Sequence, residues 1–150
     1  MKTFIVCFLL TVATPALALT EKGAQPFKLL DFWASWCTPC EKSFPEIEKL
    51  HQKYSQQVEF IGVNQDTDLK DMEEFLKKNP VSFRHQQDTG KKLLKQYEIK
   101  ALPTTVLISA DGKEIFRLRG YRDQDHLKIE KAIIDALDQH KQNQEPQIQK

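Results

Sequence analysis

The chain has 150 residues, of which 40% are hydrophobic and 29% charged. This composition carries enough apolar side chains for one hydrophobic core and is not that of a disordered polymer. Basic and acidic residues nearly cancel, at 22 against 21, and they form no basic stripe, which argues against a nucleic-acid partner. We therefore expect a single domain that acts as a monomer.

An export signal is predicted at the amino terminus. Lys2 supplies a positive charge, residues 4–12 are almost unbroken apolar sequence, and Ala16-Leu17-Ala18 forms a small-x-small cleavage site. The apolar stretch is shorter than the roughly 20 residues of a membrane-spanning helix. We expect a signal peptide over residues 1–18, cleavage after Ala18 and a periplasmic location. An uncleaved amino-terminal membrane anchor is the alternative.

Strands and helices alternate in the first half of the remaining chain. Residues 28–33 and 58–63 are apolar runs typical of buried strands. Between them, residues 38–54 place apolar side chains at three- and four-residue spacing, which predicts a helix. A second helix is predicted over residues 66–78, with Asp66 or Thr67 as its cap. Its apolar residues on one face are Leu69, Met72, Phe75 and Leu76.

The second half predicts a hairpin between two helices. Residues 81–85 read as extended, and a short helix follows Gly90. The strands at 104–108 and 114–118 are joined through Asp111-Gly112, a strong hairpin signal. An amphipathic helix follows from about residue 124 to 139, and residues 141–150 read as a polar, disordered tail. The apolar positions of this helix are Leu127, Ile129, Ile133, Ile134 and Leu137. The expected fold class is α/β, a mixed sheet with helices on both faces, within a domain spanning residues 19–140.

Cys37 and Cys40 are the residues most informative about chemistry. They lie two residues apart, behind a buried strand and at the start of a helix. Unpaired N–H groups and the helix dipole at this position favour a thiolate, and a second thiol within reach permits thiol–disulfide exchange. Cys7 leaves with the signal peptide. A bridge that closes so short a loop is a poor structural staple, and a zinc site lacks the further ligands that it needs. We expect neither a metal nor a cofactor.

Residues 31–40, which read DFWASWCTPC, are followed by Pro45 and later by Leu102-Pro103-Thr104-Thr105. This combination resembles thioredoxins. The additional helix at residues 66–78 makes the chain similar to the cell-envelope branch of that superfamily. This branch contains TlpA-like and ResA-like proteins and the reductases of cytochrome c maturation. The resemblance covers roughly residues 27–137 and implies a thioredoxin fold. One departure is Ser43, because ResA-like members have glutamate there.

Cys37 is the expected nucleophile and the more exposed sulfur, and Cys40 is the expected resolving thiol. The resemblance implies that Asp31 is a buried acid that accepts a proton from Cys40. Asp31 at an exposed strand edge, or paired with a lysine, is the alternative. The resemblance also implies that Pro103 is a cis-proline beside a Cys37–Cys40 redox disulfide, with an ordinary trans turn as the alternative.

Four further residues are expected to contact substrate. Thr38 and Pro39 lie between the cysteines and should help to set the balance between dithiol and disulfide. Trp36 is expected on the docking surface, and Leu102 is expected to offer its backbone to an extended partner.

The predicted function is an exported thiol:disulfide oxidoreductase that acts on protein disulfides. We expect a reductase fed by a membrane thiol donor, with cytochrome c maturation as a candidate pathway. The alternatives are a disulfide oxidant or isomerase, and a non-catalytic thioredoxin-fold binding module.

Overall fold

Five strands form one mixed sheet in the computed structural model, which describes residues 26–144. The sheet order is β3-β2-β1-β4-β5. The strands β1, β2 and β3 are parallel, and β4 is antiparallel to both β1 and β5. The elements are β1 (Phe27–Trp33), α1 (Thr38–Tyr54), β2 (Val58–Asn64), α2 (Leu69–Lys78), β3 (Arg84–Gln87), α3 (Lys92–Gln96), β4 (Thr104–Ser109), β5 (Glu114–Arg119) and α4 (Asp125–Gln144), with one 3-10 turn at Thr89–Lys91.

Alternate residues of the central strand β1 face opposite sides of the sheet, as a pleated strand requires. Leu29 packs in a core with Ile47 of α1 and Ile133 of α4. Leu30 and Phe32 pack in a second core that includes side chains around α3. Helices therefore cover both faces, as predicted. By the same alternation, Asp31 faces the side that α1 covers.

Several sequence predictions about the helices were wrong in detail. Helix α2 begins at Leu69, and its cap is Asp68, whose side chain accepts from the N–H of Lys70 at 2.9 Å. Neither Asp66 nor Thr67 is the cap. Leu69 is the first residue of the helix and is exposed.

The last helix and the third strand also differ from the prediction. Helix α4 continues to Gln144, so residues 141–144 are helical and do not belong to a tail. Leu127 and Ile134 of this helix are exposed, whereas Ile129 and Ile133 are buried. The third strand lies at Arg84–Gln87, several residues later than expected, because it pairs with the second half of β2. The predicted signal peptide and residues 145–150 lie outside the described residues.

Candidate active site

The carboxyl end of β1 leads into the amino terminus of α1, and both cysteines lie at this junction. Cys37 is the N-cap residue and Cys40 lies in the first turn. Their sulfurs form a disulfide, with the Cα atoms 5.2 Å apart. The backbone N–H of Cys40 donates to Cys37 Sγ at 3.3 Å. Thr38 and Pro39 between them are exposed, and proline suits this turn because the N–H that it lacks would have no helical partner there.

The two cysteines of the disulfide differ in exposure. Cys40 is completely buried, whereas Cys37 keeps 5% of its surface exposed. The order of exposure is the predicted one, although Cys37 is much less exposed than a free thiol on a surface. Trp36, directly before Cys37, is 69% exposed. The structure thus places an exposed aromatic side chain directly beside the buried disulfide.

Asp31 is a completely buried carboxylic acid on the same side of the sheet as α1. Its Oδ1 accepts a hydrogen bond from Thr105 Oγ1 at 2.9 Å on the neighbouring strand β4, and Oδ2 has no partner among the described residues. Burial raises the pKa of Asp31 to about 7, and the Thr105 hydrogen bond only partly opposes this rise. The alternatives of an exposed strand edge or a lysine-paired carboxylate are therefore wrong.

The Leu102–Pro103 peptide bond is cis. The carbonyl oxygen of Pro103 accepts from the backbone N–H of Gly120 at 2.7 Å, which attaches this loop to the end of β5. Leu102 packs against the cluster that contains both cysteines. Leu102 and Trp36 also line the same groove, of about 390 Å³. The structure thus brings the predicted site residues Trp36, Cys37, Leu102 and Pro103 together in one region. Asp31 is buried in the sheet.

Comparison with known proteins supports this arrangement. A family model described as thioredoxin-like matches residues 27–114. The chain belongs to the thioredoxin-like family. Its mixed five-stranded sheet with helices on both faces agrees with that membership.

Individual relatives extend the comparison beyond the fold. The thiol-disulfide oxidoreductase ResA of Bacillus thuringiensis is 37% identical over 109 residues, which cover 71% of this chain and 61% of ResA. A crystal structure of a Chlorobium tepidum protein provisionally assigned as thiol:disulfide interchange protein DsbE superposes with a TM-score of 0.72 at 34% identity, covering 79% of this chain and 84% of that one. StoA of Bacillus subtilis gives a TM-score of 0.65 at 26% identity, covering 73% and 83%. The chain thus spans less than two thirds of the length of the ResA relative.

Asp66 has a structural role at this site that the sequence analysis did not identify. Its carboxylate accepts from the backbone N–H of Ser35 at 3.0 and 3.1 Å, and from Ser35 Oγ at 3.0 Å. Asn64 Nδ2 donates to the same carboxylate at 2.7 Å, and Asn64 Oδ1 accepts from the N–H of Asp66. Asp66 therefore fixes the turn that carries Trp36 and Cys37. The available signal was a polar Asn-x-Asp sequence at the end of a strand that neighbours β1.

Replacing Asp66 with alanine should destabilise the protein by about 2–3 kcal/mol, because the N–H of Ser35 and the amide of Asn64 lose their acceptor. Urea unfolding with the disulfide intact measures this change. Asp71→Ala provides the matched control, since Asp71 is an exposed aspartate of the neighbouring helix α2. Equal midpoints for the two variants would contradict the anchoring role of Asp66.

His85 is a second residue that the sequence did not identify, and it packs against two aromatic side chains of the cluster that contains both cysteines. The ring of His85 contacts Trp33, Phe44 and Phe83, with centroids 4.6–5.7 Å apart. Burial lowers the pKa of His85 to about 4, against a small opposing effect of Glu48. The imidazole is therefore neutral at pH 7. Gly62 makes room for this ring, because a Cβ there would lie 2.2 Å from His85 Nδ1.

Two searches of the described residues gave no further candidates. Within residues 26–144, no three or more His, Cys, Asp or Glu side chains are grouped as metal ligands would be. Over the same range, no helix combines the length and apolar character needed to cross a membrane.

Proposed function

We propose that the protein is an exported thiol:disulfide oxidoreductase that reduces disulfides in other proteins. The observation that carries this proposal is the Cys37–Cys40 disulfide at the amino terminus of α1, in which Cys37 keeps 5% of its surface accessible, Cys40 keeps none, and the N–H of Cys40 donates to Cys37 Sγ. The names of the ResA relatives, which are thiol-disulfide oxidoreductases, support it.

The reaction begins from the dithiol form. The thiolate of Cys37 attacks one sulfur of a substrate disulfide, a Cys37–substrate disulfide forms, and the other substrate sulfur leaves as a thiolate. Cys40 then attacks Cys37 Sγ. This step forms the Cys37–Cys40 disulfide and releases the second substrate thiolate. The substrate has gained two electrons and the enzyme has lost two, so the structure described here corresponds to the oxidised product.

Asp31 is proposed to take the proton from Cys40 in the second step. The Cys40 thiol is completely buried, so water is a poor proton acceptor for it. A carboxyl whose pKa is about 7 is present in both protonation states at neutral pH and can accept and later release a proton. Asp31 faces α1, the helix that carries Cys40.

A return to the dithiol form requires a reductant. An exported protein meets no pool of small thiols, so we propose a membrane-embedded thiol donor as the source of electrons. Thr38 and Pro39 follow Cys37 and are exposed, so they would contact either partner. Cytochrome c apoproteins, which carry paired cysteines, are candidate substrates.

Equilibration of the purified protein with glutathione buffers tests the direction of electron flow. We expect a reduction potential near −270 mV, the value typical of thioredoxin-type reductants. A value near −120 mV would make the protein an oxidant and overturn the reductase proposal. Thiol alkylation followed by mass spectrometry reads the fraction of the dithiol form.

A further inference from the structure

The groove beside the disulfide has apolar walls. Trp36 forms one side of it, and Leu102, next to the cis-proline, forms another. Leu94, Ile99 and Ala101 complete the apolar lining. Its volume of about 390 Å³ suits the side chains of a short extended segment. A partner that pairs with the backbone at Leu102 would place the residues next to its reactive cysteine here.

The rim of the same groove is positively charged. Lys91 and Lys100 both line it. The Nζ of Lys91 donates to the backbone carbonyl of Gln65 at the groove, which holds its charge in place. Lys100 is exposed and makes no ion pair within residues 26–144. Two further lysines, Lys92 and Lys95, lie in the same stretch of chain.

The nearby acidic side chains are fewer than the lysines, and within residues 26–144 none of them forms an ion pair with Lys91 or Lys100. The carboxylate of Asp66, next to Gln65 of the groove, accepts from Ser35 and Asn64. The carboxylate of Asp88 is turned inward, where it accepts from the backbone N–H groups of Leu93 and Leu94. Glu98, the one acidic residue of segment 89–102, lines a separate depression together with Arg117. A local excess of positive charge therefore stands beside the disulfide in a chain whose total charge is only +1.

We propose that this groove selects protein partners in which the reactive cysteine is flanked by an apolar residue and by aspartate or glutamate. The inference rests on the proposed function and adds a substrate class to it. Apolar contact with Trp36 and Leu102 holds the segment, and Lys91 and Lys100 attract its carboxylates. Complementary charge of this kind raises the rate of productive encounter and discriminates against basic partners.

Three synthetic peptides test this selection. Each carries one cysteine as a mixed disulfide with 2-thiopyridine, next to a leucine, and the remaining flanking positions are glutamate, glutamine or lysine. The reduced protein releases thiopyridone, whose absorbance gives the second-order rate constant under single-turnover conditions. At low salt we expect the glutamate peptide to react about tenfold faster than the lysine peptide, and 0.5 M NaCl should reduce this ratio strongly.

A pair of charge-reversal variants isolates the groove from the net charge. Lys100→Glu should remove or reverse the preference for the glutamate peptide. Lys141→Glu changes the total charge equally but lies near the end of α4, at the opposite end of the sheet, and should keep the preference. Equal rates for all three peptides, or equal effects of the two variants, would overturn the inference. Failure of the wild-type protein to react with any peptide would instead overturn the proposed function.

Discussion

Replacing Cys37 with serine should reduce the catalysis of insulin disulfide reduction to the background of dithiothreitol alone. A serine hydroxyl at the N-cap still accepts the N–H of residue 40, so the fold should persist while the nucleophile is lost. Turbidity of the precipitating insulin B chain measures the rate. Circular dichroism and the urea midpoint establish that the variant remains folded.

Cys40→Ala should behave differently from Cys37→Ser, although both lose turnover. The Cys37 thiolate of this variant still attacks a substrate disulfide, but no second thiol releases the product. A covalent enzyme–substrate disulfide should therefore accumulate and disappear on addition of reductant, as seen by non-reducing electrophoresis. The same variant captures physiological partners. Wild-type turnover by Cys37→Ser would reject the nucleophile assignment. A wild-type protein that itself gave no turnover above the dithiothreitol background would favour a non-catalytic binding module.

The free energy of unfolding of Asp31→Asn, relative to that of the wild type, should increase as the pH rises. The pKa of Asp31 is about 7 in the folded state, against an ordinary value of 3.8. Between these two values the folded state binds more protons than the unfolded state, so the wild type loses stability as the pH increases and reaches a plateau above pH 7. Asparagine has no such titration. Because one pKa unit corresponds to about 1.4 kcal/mol, the stability of the variant relative to wild type should grow by about 4 kcal/mol from pH 4 to pH 8.5.

Urea unfolding of the disulfide form at several pH values measures this change. Asp88→Asn is the matched control, because it also replaces a buried aspartate. Burial would raise the pKa of Asp88, but hydrogen bonds from the N–H groups of Leu93 and Leu94 outweigh it and lower the pKa. The stability of Asp88→Asn relative to wild type should therefore fall as pH rises through the acidic range. If the stabilities of the two variants relative to wild type changed with pH in the same direction, the raised pKa assigned to Asp31 would be contradicted.

The Asp31→Asn substitution should also slow catalysis. Without a carboxylate to receive the Cys40 proton, we expect release of substrate from the mixed disulfide to slow by roughly 100-fold, the lower part of the range for positioned proton transfer. The inflection near pH 7 in the rate of this step should disappear. Stopped-flow measurement of product thiol resolves the step. An unchanged rate with an unchanged pH profile would leave Asp31 as a structural residue.

Local sequence pattern was sufficient for the parts of the site that depend on near neighbours. Cys37 and Cys40 are placed by one strand followed by one helix, and both elements have strong apolar periodicity. Asp31 stands out because it interrupts an otherwise apolar strand. The cis-proline required the family resemblance, because residues 102–105 alone are compatible with a trans turn.

Long-range contacts explain what the sequence could not predict. Asp66 looks like a helix cap from its neighbours, and only the parallel pairing of β1 with β2 brings it to Ser35. Leu127 and Ile134 fit the helical period of α4 but lie outside the stripe that the sheet covers. The groove is lined by Trp36 and by residues between 91 and 102. No local sequence pattern predicts that these two segments lie next to each other.

The direction of β1 determines how the molecule would be presented to its partners. Phe27 opens the strand beside the carboxyl-terminal part of α4, where its ring meets that of His140 with centroids 5.6 Å apart. The strand then advances roughly 20 Å over its length before it reaches the turn into α1. A tether attached ahead of Phe27 would therefore hold the protein by its far end, with the sulfurs turned outward. The disulfide would then be equally accessible to a partner whether the protein stays on such a tether or is released from it.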